Sequence, residues 1–369
     1  YGSDDTVVHV NHPRDSITGY FNQYDLDTNT ATQAYGKTDI FDGKDFSWDF
    51  DAVEVMNSKR NDLIRSYKIP ETQNLPNELP DFYNSTEYQA GQILLKPDPT
   101  KIEAAFPGVV DDWFHILNHG NRLTATGNSD SHHVTGDEVG YPRTFVHVKE
   151  DVIGKFNEQD ITQGIFEHRA IVTNGPFVTV FVNDKTIGDD VQPDTLDGEI
   201  VVMIEVGFSN WVAVDTINVY QNGDLSKSYN LHKDLIELTR DGSNKLTLRT
   251  VLYPLSNDKN ILDYWFVVEV TGNKPLWPVV PGVEIPPTNI SQIMMQLVGD
   301  LLGGNDYKDL QPKTTFQILP YAITNPIWVD SNRDGVFTSI NTFEPSAKHQ
   351  KAINSQGLSS GITEQFERF

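Results

Sequence analysis

Leu123-Thr124-Ala125-Thr126 is a short β-type run, and Gly127-Asn128-Ser129-Asp130-Ser131-His132-His133 breaks it. Glycine, asparagine and serine favour turns over ladders, so Asp130 and His132 are expected at a strand's end. Two positions apart on a backbone that is still extended, a carboxylate and an imidazole project to the same side. An oxygen and a nitrogen ligand then reach one cation, in a combination that zinc, manganese and iron all accept. Taken alone, the motif fits equally a polar loop hydrogen-bonded to itself. Its weight comes from its surroundings.

Upstream, Thr6-Val7-Val8-His9-Val10-Asn11-His12-Pro13-Arg14 opens as a strand, with β-branched Val7, Val8 and Val10. Pro13 stops the ladder and biases His12 toward an extended conformation. His12 is thereby expected at a strand's carboxyl end, where barrel and open α/β folds place their chemistry. His9, three positions earlier, is expected to face away from it as a packed or surface side chain. Phe50-Asp51-Ala52-Val53-Glu54-Val55-Met56-Asn57 alternates with period two and reads as a second strand. Glu54 is placed either in the pocket of His12 or on a solvent-facing side. Residues 15–50 and 70–100 show no sustained period and read as long connections, binding walls or plain insertions. Ser58 to Ile69 is helix-compatible up to Pro70.

Downstream, Asp111-Asp112-Trp113-Phe114-His115-Ile116-Leu117-Asn118-His119-Gly120 has acids for a first helical turn and glycine for the exit. Trp113, Ile116 and Leu117 form its apolar face. His115 and His119, four apart, are either a metal pair or ordinary helix-end histidines. Gly140-Tyr141-Pro142-Arg143 leads into the β run Thr144-Phe145-Val146-His147-Val148, and Arg143 suits either an oxyanion or a structural salt bridge. A further helix is expected over Asp160–His168. From Ile171 to about Pro275 the texture becomes a succession of strands, punctuated by Asn183-Asp184, Asn222-Gly223 and Asp241-Gly242. An antiparallel β-sandwich follows from that pattern. A Pro-rich stretch spans 275–287, an amphipathic helix is expected over Ile290–Leu302, and a final strand over Phe316–Ile323.

The 369 residues carry 28 Lys and Arg against 52 Asp and Glu, a formal charge of -24. No basic cluster is present to track a nucleic-acid backbone or an anionic membrane surface, so neither is an expected partner. Cysteine is absent, which excludes disulfides, thiolate zinc sites and thiol nucleophiles. It also favours a secreted or periplasmic bacterial setting, though a cytosolic one is compatible. No apolar run reaches the ~18 residues of a membrane span. The first residue is Tyr1, for which processing or truncation is the simplest explanation.

Five segments, in order, carry a resemblance: Val10-Asn11-His12-Pro13-Arg14, Phe50 to Asn57, Gly127 to His132, Gly140-Tyr141-Pro142-Arg143-Thr144 and Asn174-Gly175-Pro176-Phe177. Together they resemble the second half of the PHP (polymerase and histidinol phosphatase) family, in its CehA/McbA-like branch. The resemblance covers residues 6–180 closely and the β-rich part loosely. It implies an α/β plus all-β chain. Residues 1–170 would form the C-terminal half of a distorted (β/α)7 metallohydrolase barrel. A β-sandwich-like domain follows over 171–345, with the linker at 275–287, and then a polar tail over 346–369. It also implies two or three divalent transition metals (zinc, manganese or iron) in the complete barrel, hydrolysing a phosphoester, ester, amide or carbamate substrate. His12, Asp130 and His132 carry over as metal ligands. Glu54 and Asn57 orient ligands and loops, and Arg143 and Tyr141 contact substrate.

The family's first half supplies a His-x-His pair, and none occurs here: histidines stand at 9, 12, 115, 119, 132, 133, 147, 168, 232 and 349. The expectation is therefore a chain completed by an N-terminal barrel half, lost by truncation or held after nicking. Asp330-Ser331-Asn332-Arg333-Asp334-Gly335 has the spacing of a calcium loop, with Asp330, Asn332 and Asp334 as candidate ligands. Position twelve is Asn341, with Glu344 as a substitute. A metal-free turn rich in Asp and Asn fits the same residues. The competing function is accordingly a non-catalytic calcium-loop β-domain that binds a polysaccharide or a protein.

Overall fold

A computed structural model describes residues 6–14, 19–25, 30–31, 47–58, 64, 67–68, 105–106, 108–132, 138–150, 152–194, 198–233, 238–240, 244–256, 261–285 and 314–339. Residues 70–100, His133, most of 58–69, the helix expected over 290–302, Asn341, Glu344 and the tail lie outside them. The described chain is mostly β-sheet, with two α-helices. Neither is long and apolar enough to cross a membrane.

Three parallel strands make one layer: β1 (His9–Val10), β2 (Ala52–Asn57) and, after helix α1 (Val109–Asn118), β3 (Thr124–Asn128). They lie in the order β1-β2-β3, His9 beside Ala52 and Val53 beside Ala125. Parallel pairing puts all three carboxyl ends on one side. Helix α1 begins at Gly108, carries Asp111 and Asp112 in its first turn and buries Trp113, Ile116 and Leu117, the face expected from their spacing. Arg14 ties it to the end of β1: Nε donates to Asp112 Oδ2 at 2.7 Å, Nη2 to Oδ1 at 2.9 Å and Nη1 to the Phe21 carbonyl at 3.0 Å.

The remaining elements follow in order: β4 (Arg143–Val146), α2 (Glu158–Phe166), β5 (Ala170–Thr173), β6 (Phe177–Val182), β7 (Lys185–Thr186), β8 (Asp190–Val191), β9 (Ile200–Gly207), β10 (Thr216–Gln221), β11 (Asp224–Asn230), β12 (Leu238–Arg240), β13 (Lys245–Leu252), β14 (Tyr264–Thr271), β15 (Tyr321–Thr324) and β16 (Ile327–Val329). A five-stranded antiparallel sheet runs β7-β6-β9-β13-β12, its strand β9 alternating buried and half-buried along its length. An eight-stranded sheet runs β8-β16-β14-β15-β5-β4, with β10 on the other side of β14 and β11 beyond it.

The large sheet is the middle of three layers, which is why Tyr264-Trp265-Phe266-Val267-Val268-Glu269-Val270 is buried throughout. One face carries Phe266, Val268 and Val270 onto the five-stranded sheet. The other carries Trp265 and Val267 onto α1 and the parallel strands. A strand covered on both faces reads as a continuous apolar run. The 170/171 boundary expected from the sequence falls inside β5, and both β4 and β5 belong to the large sheet. Likewise Leu276 and Val280, inside the Pro-rich stretch, are buried in the apolar core that the five-stranded sheet shares with the large sheet.

Strands β15 and β16 lie in line along the same side of β14. Asn325 and Pro326 interrupt them, as a residue without an N–H must. The Asn325 side chain leaves the ladder there. Its Oδ1 accepts the Ala125 N–H at 2.8 Å, and its Nδ2 donates to the Ala125 carbonyl at 3.0 Å and the Ala170 carbonyl at 2.9 Å. This fully buried amide joins β3 to the large sheet. Beside it, Gly127 lets the two backbones approach: a Cβ there would stand 2.5 Å from Val172 Cγ1.

At the opposite end of β3, His168 closes α2 with φ +58°. Its Nδ1 lies 2.8 Å from Thr124 Oγ1 and its ring stands edge-on to Trp328. Burial, helped by nearby Arg122, lowers its pKa from 6.5 to about 3. The unfolded chain takes up this proton near 6.5 and the folded one does not, so the stability it contributes is lost as pH falls below 6.5. Asparagine also tolerates positive φ and does not titrate. His168→Asn is therefore expected to remove about 2 kcal/mol of the stability difference between pH 6.5 and 5. Urea unfolding of both proteins at the two pH values checks this, and equal slopes would refute it.

Candidate functional site

Glu54 organises the carboxyl ends of the three parallel strands. It is 2 % exposed. Its Oε2 accepts the backbone N–H of His12 at 2.5 Å and Asn57 Nδ2 at 3.0 Å, and its Oε1 accepts Asn128 Nδ2 at 3.0 Å. One carboxylate thus holds the residues that end β1, β2 and β3. Burial pushes its pKa up against the pull of these three donors, and the Asp130 carboxylate nearby adds to the rise. Ser58 reinforces the same junction, its N–H reaching the Asn128 carbonyl at 3.3 Å and its Oγ donating to the Ser129 carbonyl.

Past β3 the chain turns sharply. Asp130 has φ +46°, so the extended backbone expected between Asp130 and His132 is not what aligns them. The left-handed turn instead brings His132 Nε2 to 2.8 Å from Asp130 Oδ1. The imidazole is 63 % exposed and the carboxylate 25 %. His12 also departs from the extended conformation expected before Pro13, with φ +34°. Its N–H is pinned by Glu54, and that half-buried bond overrides the local preference. His12, Asp130 and His132 therefore all lie at the strand ends, with the last two in contact. Among the described residues, no three His, Asp or Glu side chains form a group able to hold a metal ion.

His9 lies along the polar face of the parallel layer, Nε2 2.5 Å from Thr126 Oγ1, and burial lowers its pKa to about 4. It is neutral at physiological pH. His115 and His119 stack at 4.3 Å, with His119 Nδ1 2.8 Å from the His115 carbonyl. Both rings lie along the helix.

Arg143 and Tyr141 stand apart from this site. Thr144 Oγ1 donates to the Gly127 carbonyl and accepts the Gly127 N–H, both at 2.9 Å, so Thr144 faces β3. By strand alternation Arg143 faces the other way. Its guanidinium carbon lies 4.6 Å from the Tyr141 ring centroid and 5.7 Å from that of Phe145, and Tyr141 packs on the apolar core of the β-rich part.

The Asp330–Gly335 loop is closed by its own backbone. Asp330 accepts the Asp334 and Gly335 N–H groups at 3.2 and 2.8 Å and Gln192 Nε2 at 2.7 Å. Asn332 Oδ1 accepts the Asp334 N–H, and Asp334 Oδ1 accepts that of Val336, each at 2.8 Å. Buried Asp263 holds the loop from behind through the N–H groups of Ser331 and Thr338 at 2.8 Å.

Sequence reasoning missed Asn128, Ser58, Asn325 and the Arg14–Asp112 pair. Each acts across a long separation. Only Asn128, inside the Gly127–His132 motif, had a local signal. Searches of family models, curated proteins and solved structures found no match to this chain.

Proposed function

We propose that this chain is part of a PHP-type metallohydrolase, acting on a phosphoester, ester or carbamate/amide substrate and complete only with barrel strands supplied from outside it. The reading is supported by one observation above the rest. Three parallel strands end around a single buried glutamate, and their ends carry His12 and the touching Asp130–His132 pair. An oxygen and two nitrogen donors suit zinc, manganese or iron. A bound ion of that kind supplies a water of near-neutral pKa and stabilises charge on the attacked centre. Asp130 and His132 touch, but with His12 they do not form a three-ligand group on their own; each of the three would give one donor to a set completed by the strands from outside the chain. Glu54 keeps the three strand ends at fixed spacing, and Asn57 and Asn128 hold Glu54.

The test combines native mass spectrometry for bound metal and any accompanying polypeptide with turnover of nitrophenyl phosphate and nitrophenyl acetate. Zinc or manganese is expected to bind and support turnover in the completed assembly. Asp130→Asn and His132→Gln are each expected to lower turnover by at least the ~10–100-fold that losing a metal's outer partner costs. A chain with no transition metal, and no turnover when its missing strands are present, ends this reading. Calcium binding alone, at Asp330, Asn332 and Asp334, would favour the non-catalytic β-domain, whose loop already sets side-chain oxygens at alternate positions around one turn.

A further inference from the structure

Arg14, Arg122 and Arg169 each pair with an aspartate. Arg143 does not. Its guanidinium makes no ion pair with a described residue, and its Nε is buried without a hydrogen-bond partner. What surrounds it is aromatic. Tyr141 and Phe145 lie against it, and Phe177 meets Phe145 edge-on at 5.1 Å. Phe145 and Phe177 are 41 and 42 % exposed, so apolar surface continues outward from the charge.

A guanidinium resting on ring faces keeps its N–H donors in its own plane, clear of the rings. That fork matches the two oxygens of a carboxylate. The rings fix its orientation before any ligand arrives, which lowers the ordering cost of binding. The adjoining phenylalanines offer an apolar body a place to lie. We propose that Arg143 binds a carboxylate carried on an aromatic body, at a position separate from the strand-end site. The proposal does not depend on the hydrolase reading.

Titration of the full chain with benzoate, inorganic phosphate and benzyl alcohol, followed by calorimetry and by the arginine Nε–H resonances, tests it. Benzoate is expected to shift the Arg143 Nε–H signal at millimolar concentration and to bind more tightly than either comparison compound. Arg143→Gln should weaken benzoate by about ten- to a hundredfold, the worth of a charged hydrogen bond. Phe177→Ala, which removes a ring that does not touch the guanidinium, should weaken benzoate and leave acetate unchanged. Adding a metal chelator should change nothing. Unchanged benzoate affinity in Arg143→Gln overturns the proposal, as does phosphate or benzyl alcohol binding as well as benzoate. Loss of benzoate binding on chelation overturns the separate position.

Discussion

Replacing Glu54 by alanine is expected to destabilise the protein by about 3–5 kcal/mol, because one buried donor, Asn57, and two half-buried ones, at His12 and Asn128, lose this acceptor at once, and a buried orphan costs about 1–3 kcal/mol. The sum is held down because Glu54 itself is relieved of a burial that raises its pKa. The donors belong to three different strands, so the loss also frees the strand ends from one another. Affinity for zinc or manganese should fall about 10–100-fold, as when a partner that orients a ligand is removed. Glu54→Gln is expected to be far milder, about 1 kcal/mol. Its oxygen can keep the His12 N–H and Asn57, while the Asn128 amide turns over to present its oxygen to the new NH2. Urea unfolding and metal titration of the two variants measure this contrast. An alanine variant as stable as the parent would remove Glu54 from the centre of the site.

Arg14→Met is expected to cost a similar 3–5 kcal/mol for a different reason. Arg14 and Asp112 are 3 and 7 % exposed. Burial already drives the Asp112 pKa up despite the guanidinium beside it. Removing the cation leaves that carboxylate in an apolar setting beside Trp113, and also strips the Phe21 carbonyl of a donor. Adding Asp112→Leu should recover most of the loss, since a buried pair replaced by apolar side chains is often near neutral. A double-mutant cycle read by urea unfolding gives the coupling. Simple additivity would show that the pair is not what fastens α1 to the loop carrying His12.

Much of the local architecture was legible in the residues. Period two in Phe50–Asn57 marked a strand, which is buried along its whole length, and turn signals marked the succession of strands after Ile171. Acids before Trp113 and the glycine at 120, with φ +86°, bounded α1. Placement of His12 and Asp130 at strand ends followed from Pro13 and from Gly127-Asn128-Ser129. What stayed hidden was long-range. Glu54 meets Asn128 across 74 positions and Arg14 meets Asp112 across 98. No window of sequence contains both members of either pair. Membership of β4 and β5 in the large sheet was hidden for the same reason, since β15, which joins β5 to it, comes some 150 residues after β5. The conformations of His12 and Asp130 were misread because local propensity was the only guide there, and tertiary contacts outweighed it.

The Asn325 amide has a consequence for biosynthesis. It clamps Ala125 across 200 positions of sequence, and β15 must slot between β5 and β14, both made earlier. At about 5–20 residues per second, a ribosome finishes Asn325 roughly 10–40 s after Ala125. Through that interval the nascent chain lacks both β15 and the clamp, while strands that cover α1, β2 and β14 among them, are made before it ends. The junction between β3 and the large sheet can therefore close only once residue 325 has been made, whatever the rest of the fold has done by then.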